Sequence, residues 1–129
     1  MSLAAKLLML ALAGAAGTLA RYGLSGLAQR LSGAAFPFGT LTVNAVGCLL
    51  FGFVWALYEG KVISPEVRVI ILVGFMGAFT TFSSFAFETG ELLRDGQLGY
   101  AAINIIAQNV VGMAVFFAGL FIGRLLFFP

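Results

Sequence analysis

GFMGAFTTFSSFAFE, residues 74–88, is the stretch on which the reading of this chain turns. It lies inside a long apolar run, yet it gathers Gly74 and Gly77 with the hydroxyls of Thr80, Thr81, Ser83 and Ser84. A helix facing only lipid has no use for that composition. Glycine favours departures from helical backbone, and Ser and Thr side chains compete for backbone hydrogen bonds. The segment is therefore expected to break near residues 77–81. Carbonyls freed by such a break persist in a bilayer only where protein buries them or where they face a polar cavity or an ion. The break is a candidate site.

Working outward, composition sets the class. The chain has 129 residues, 61% of them hydrophobic and 9% charged, and its mean hydropathy is +1.08. That profile is that of an integral membrane protein and excludes a water-soluble core. Apolar runs of about 20 residues each span a bilayer as helices. The expected fold is an all-α membrane domain covering residues 1–129, with four transmembrane helices over 3–30, 38–59, 67–93 (the third helix broken at its middle, near 77–81) and 98–127. A net charge of +2 from scattered basic residues gives no surface for nucleic acid. Histidine is absent and Cys48 is the single cysteine, which removes imidazole and thiolate metal sites and any intrachain disulfide. Cys48 reads as packing.

The first span opens with Lys6, an apolar stretch and the small residues Ala13 to Gly17, which are also the parts of a cleaved signal peptide. The membrane-like sequence that follows favours a first span. Ala13, Gly14, Gly17 and Thr18 form a small-residue face for close helix packing. Arg21 interrupts the pattern, either as an interfacial anchor or as a cation at an anion-attracting vestibule. Residues 30–37 are the first connection and residues 59–68, the most polar stretch, the second. Between them Thr40, Asn44 and Gly47 share one helix face. An amide in an apolar helix is costly unless satisfied, and Asn44 suits either helix–helix glue or donation to an anion. Glu88 reads as a solvated surface carboxylate or a buried proton carrier, and Gly96 as a helix stop. In the last span Asn104, Gln108 and Gly112 line up on one face with Asn109 beside them. Phe36, Phe38, Tyr58, Tyr100, Phe127 and Phe128 crowd the span ends as interfacial belts do.

Phe82 and Phe85 stand three apart, on one face, just after the expected break and flanking Ser83 and Ser84. An aromatic ring has a positive edge, so ring edges can line an anion path without presenting a full positive charge. A small anion holds its water tightly, and a pore that passes it must replace that shell with donors without becoming a deep trap. The Asn44 amide, the hydroxyls of Thr40 and Ser84, and the two rings supply such a set.

In GTLTVN at residues 39–44, in the run GFMGAFTTFSSF at residues 74–85, and in Arg21, the chain resembles the Fluc (CrcB) fluoride channels of microbes. Length and the four-span plan extend the resemblance over essentially the whole chain. The resemblance implies passive fluoride export giving fluoride resistance, in a bacterial inner membrane. It also implies an antiparallel dual-topology homodimer with two pores and a structural sodium ion at the dimer centre. By matching position, Phe82 and Phe85 correspond to the family's pore phenylalanines, Asn44 and Thr40 to its second-span pore residues, and Ser84 to its pore-side hydroxyl. Asn104 and Gln108 fall where many members carry Tyr and Ser, so the hydrogen-bonding face is kept while its chemistry changes. Arg21 corresponds to the vestibule arginine, and the backbone carbonyls of Gly77 and Thr80 to the sodium ligands. Ala78 replaces the second glycine of the family's usual pair. Were that position to need φ > 0, the change would cost about 1 kcal/mol or more.

The loop charges fit mixed insertion: Lys6, Lys61, Arg68 and Arg124 fall on one side of four spans and Arg30 and Arg94 on the other, with Arg21 near the latter. Two other classes share parts of the pattern. A small dual-topology multidrug exporter has this length and span count, but substrate/proton exchange calls for an acidic residue deep in a span, and the first, second and fourth spans have none. A non-transporting assembly subunit accounts for small-residue faces but not for donors clustered beside a break. An enzyme is not expected, because the carboxylates lie at span ends and no hydroxyl has a histidine base.

Overall fold

The computed structural model describes residues 1–128, and among them only helices and short connections occur. Four stretches are long and apolar enough to cross a membrane: Leu3–Ser32, Phe38–Glu59, Pro65–Arg94 and Leu98–Phe127. The chain is a four-span helical membrane protein. Helix α1 (Leu3–Ser32) starts where the Ser2 hydroxyl accepts the Ala5 N–H at 3.2 Å. It stops at Gly33, whose φ of 58° is a left-handed conformation that glycine takes without a Cβ penalty. Helix α2 (Phe38–Glu59) follows Pro37.

The third span is composite. Ser64 caps α3 (Pro65–Val69) by accepting the Val67 N–H at 3.3 Å, and Pro65 sits in the first turn, where a missing N–H does no harm. A π-helical segment, Ile70–Met76, comes next, then the single turn α4 (Gly77–Phe79). Thr80 and Thr81 are extended, with φ/ψ of −87°/157° and −149°/109°, and α5 (Phe82–Arg94) begins immediately after them. Gly96, with φ 71°, turns the chain into α6 (Leu98–Phe127).

Within the expected window the departure is narrower than the glycines indicated. Gly77 is helical at φ −60°, ψ −33°, and only the two threonines leave the helix. Ala78 is likewise helical, and Lys61 is the one non-glycine residue with positive φ among the described residues. The strain anticipated for alanine at that position therefore does not arise.

Glycine sets how closely the spans approach. A Cβ on Gly52 would strike the Phe116 carbonyl and one on Gly119 the Leu49 carbonyl, so α2 and α6 touch backbone to backbone. The small face of α1 does the same against the π-helical segment, where Gly17 meets the Phe75 carbonyl and Gly74 packs on Ala13. Lipid supplies no hydrophobic drive between spans, so this close van der Waals fit holds them together. Val43, Leu72, Met76 and Phe79 fill the middle of the bundle. The outer faces are apolar and exposed, as at Leu12, Leu19, Ile106, Val110 and Phe121.

Candidate functional site

Two residues of extended backbone in the third span leave polar groups that the helix no longer serves. In an unbroken helix the Thr81 N–H would bond to the Gly77 carbonyl. Here it donates to Asn44 Oδ1 at 2.8 Å, and Asn44 Nδ2 donates to the Thr81 carbonyl at 3.1 Å. The Asn44 amide thus replaces two backbone partners at once. The Ser84 N–H, which helical continuation would send to the Thr80 carbonyl, instead donates to Thr81 Oγ1 at 3.2 Å. That bond caps α5, and Thr81 Oγ1 donates in turn to Ser84 Oγ at 2.9 Å. Gly47, almost one turn beyond Asn44 on α2, makes room for the junction: a Cβ there would strike the Thr80 methyl group.

Two grooves meet at this junction, and Thr81 lines both. The larger, 520 Å³, runs between α2, α5 and α6 past Asn44, Phe82, Phe85, Gln108 and Asn109. The rings of Phe82 and Phe85 meet edge to face with centroids 5.4 Å apart, and Phe82 is 78% exposed on the protomer. Asn44 Nδ2 also donates to Gln108 Oε1 at 3.0 Å, linking α2 to α6 across the head of the groove. The smaller groove, 440 Å³, holds Arg21, Thr40, Ser84 and Glu88. Thr40 donates to Glu88 Oε1 at 2.6 Å, while Glu88 Oε2 is buried without a partner. Among the described residues the ion pairs are Arg94–Glu91 and Arg124–Glu59, so Arg21 and Glu88 share this groove without closing on each other.

The structure thus gathers Asn44, Phe82, Phe85 and Gln108 around one groove and Arg21, Thr40 and Ser84 around the other. Asn104 joins neither. It is fully buried between α5 and α6, where its Nδ2 donates to Thr89 Oγ1 at 3.0 Å and Thr89 donates to the Phe85 carbonyl at 2.8 Å. Its spacing from Gln108 put both on one helical stripe, but the stripe runs from a helix interface into the groove. Gly77 is exposed, and Thr80, half-buried, lines the larger groove.

Sequence reasoning left Thr81 and Thr89 without roles and read Glu88 only as a surface group or proton carrier. A signal for Thr81 existed: a threonine three residues before Ser84, at the head of an amphipathic stretch, is the spacing of an N-cap. The partnership of Thr40 with Glu88 spans 48 residues and has no local signal.

A family model described as CrcB-like protein, Camphor Resistance (CrcB), matches residues 8–120. The chain belongs to this family. The resemblance read from residues 39–44 and 74–85 is therefore borne out. Among CrcB relatives, a protein of Nitrosococcus oceani named fluoride-specific ion channel FluC is 55% identical over 122 residues, covering 94% of this chain and 98% of the relative. Proteins of the same name from Desulforapulum autotrophicum and Nitratidesulfovibrio vulgaris are 51% and 50% identical, each over 98% of its own length.

Proposed function

We propose that the chain is a fluoride channel, a multi-pass protein of the bacterial inner membrane that lets fluoride leave the cell and so confers fluoride resistance. The observation that carries this reading is the junction itself: the Asn44 and Gln108 amides, the capping hydroxyl of Thr81 and the exposed ring of Phe82 converge where the third span leaves the helix. The names of its close relatives point the same way. Arg21 draws anions to the smaller groove, with Thr40 and Ser84 as its hydroxyls. Phe82, Phe85, Asn44 and Gln108 wall the larger one, and Asn104 braces it through Thr89. Such a wall replaces water around a compact anion, while larger halides are held less well. Transport is passive, driven outward by a negative-inside potential. The protein is a channel and not an enzyme. A multidrug exporter or an inert assembly subunit gives no reason for an unpartnered Gln108 Nε2 and an exposed Phe82 ring on one groove.

The working unit in this reading is a homodimer of two antiparallel copies. On the protomer Gly77 is exposed and Thr80 lines the larger groove, and lipid has no donor or cation to offer their carbonyls. A second copy across a two-fold axis in the membrane plane brings two such junctions together. Both carbonyls have lost their usual helical donors, the Thr81 and Ser84 N–H groups, to side chains. Neutral oxygens of that kind suit a hard monovalent cation, so Gly77 and Thr80 fit as backbone ligands of a structural sodium ion. When bound, the ion would supply positive charge that offsets those carbonyls.

Expression in a bacterium deleted for its own fluoride exporter should restore growth in fluoride without protecting against cationic dyes. No rescue, or dye resistance alone, would remove the fluoride reading. Cysteines placed beside Lys61 should label from both sides of the membrane, and labelling from one side only would contradict the antiparallel dimer. Replacing sodium by a large organic cation should destabilise the purified dimer; indifference would rule out the ion.

A further inference from the structure

Arg68 is held in place without being neutralised. It stands on α3, and its guanidinium carbon lies 4.3 Å from the centre of the Tyr58 ring and 5.5 Å from that of Trp55, both near the end of α2. Two rings attract a cation and fix its plane, but they do not cancel its charge, and its edge keeps five N–H donors to spend. Among the described residues the ion pairs are Arg94–Glu91 and Arg124–Glu59, and no acceptor meets the Arg68 side chain. Glu59 is already taken, by Arg124 at 2.8 Å and by Trp55 Nε1 at 3.1 Å. Glu66, two residues before Arg68, leaves α3 on another side. The turn beside Tyr58 adds a second cation: Lys61, whose N–H donates to the Tyr58 carbonyl, has φ 60° at the left-handed position that closes α2, a place usually filled by glycine. This end of the bundle thus carries Lys6, Lys61, Arg68 and Arg124 against Glu59 and Glu66 alone.

We propose that Arg68, stacked on Tyr58 and Trp55, binds the phosphate of an anionic phospholipid in the adjoining leaflet. Trp and Tyr at the end of a span sit at headgroup depth, so the guanidinium they hold lies at the level of the lipid phosphates. A planar guanidinium offers parallel N–H pairs along its edge, which match two phosphate oxygens, and stacking on a ring leaves that edge free. Arg68 is half-buried, and a charge at the edge of hydrocarbon without a counter-ion is unfavourable; a lipid phosphate is always within reach there. Val62 and Val67, next in sequence to the two cations, are exposed and give the acyl chains an apolar surface that a free phosphate would not use. The excess of basic over acidic side chains at this end selects a headgroup with net negative charge. The inference stands on the membrane fold and is independent of which ion the protein conducts.

The test uses the full-length protein purified in an uncharged detergent, to which phosphatidylglycerol, phosphatidylcholine or inorganic phosphate is added. Phosphatidylglycerol near saturation should raise the thermal midpoint of the parent by at least about 4 °C, while the other two should move it by no more than about 1 °C. Arg68→Gln, which removes the charge and the fork, should lose that rise. Arg68→Lys keeps the charge without the fork and should retain less than about half of it. Arg30→Gln, which removes a basic residue at the opposite end of the bundle, should respond as the parent does. A parental rise in Arg68→Gln overturns the assignment, and so does a rise lost equally in Arg30→Gln, which would make the effect one of overall charge. An equal rise with phosphatidylcholine overturns the choice of an anionic headgroup, and one with inorganic phosphate overturns the lipid. If Arg68→Gln does not fold, Arg68→Lys decides, a full parental rise counting against the site. Failure of both to fold also overturns it, because a side chain whose N–H groups meet nothing in the protein is not needed to build it.

Discussion

The seam between α2 and α6 and the junction between α4 and α5 solve the same problem in opposite ways. Along the seam both helices are continuous, every backbone group is served within its own helix, and glycines at positions 52, 119 and 123 let the backbones touch. Only shape is needed there. At the junction Thr80 and Thr81 leave the helix; Asn44 on α2 meets the Thr81 N–H and carbonyl and the Thr81 hydroxyl meets the Ser84 N–H, which leaves the Gly77 and Thr80 carbonyls without their helical donors. Chemistry is needed there. In a bilayer, unhelical backbone is sustained only by polar groups, and a place where polar groups have been assembled is one where an ion can be exchanged for water.

The contrast is broken most severely by attacking shape at the seam. Gly119→Leu drives a side chain into the Leu49 carbonyl, where backbone has no room to yield. Overpacking of that kind costs about 3 kcal/mol, the upper end of the usual range, and little monodisperse protein should survive size-exclusion chromatography. A well-behaved variant would mean that the seam is looser than the glycines imply. At the junction, Asn44→Asp keeps the acceptor for the Thr81 N–H but removes both donors, orphaning the Thr81 carbonyl and Gln108 Oε1. Disturbance of about 2–3 kcal/mol should slow fluoride efflux about 100-fold, with folded protein still recovered. Parent-like efflux would detach Asn44 from the pore.

Smaller effects sharpen the same line. Phe82→Ile keeps the apolar bulk of an exposed residue but removes the ring edge and its edge-to-face partner contact with Phe85. Efflux should fall about tenfold, from the roughly 1 kcal/mol such aromatic geometry contributes, and a fall no greater than that of an outward-facing phenylalanine would make the ring mere bulk. At the far end of the seam, Glu59 accepts from Arg124 at 2.8 Å and from Trp55 at 3.1 Å, at the exposed surface. Glu59→Gln should move the thermal midpoint by no more than about 2 °C and leave efflux unchanged. A large loss of efflux would place function at the seam as well.

What could be read without coordinates follows the same division. Four spans were legible because apolar length and polar connections are local properties, and the structure has four long apolar helices. The residue types of the site were legible too, since hydroxyls, amides and glycine in hydrocarbon have few other uses. The pairings were not. Asn44 and Gln108 were both visible as amides, but which one keeps a free N–H depends on a Thr81 backbone 37 residues from Asn44. The π-helical turns of Ile70–Met76 had no sequence signature; in the structure they lie against Gly17 of another span, a contact no local pattern records. Glycine drew attention to position 77, yet the two threonines depart from the helix, because their N–H and hydroxyl groups have partners waiting on α2 and in the first turn of α5. Asn104 looked like Gln108 by spacing and differs from it in burial and in partner, Thr89 in place of Asn44.

Anion efflux from liposomes that contain only the purified protein tests the central claim most directly. With sodium fluoride inside and a permeant cation pathway supplied, fluoride should be released rapidly, while parallel vesicles loaded with sodium chloride should retain their contents. Vesicles that hold fluoride as tightly as protein-free ones, or release chloride at a comparable rate, would contradict the claim that this junction selects fluoride.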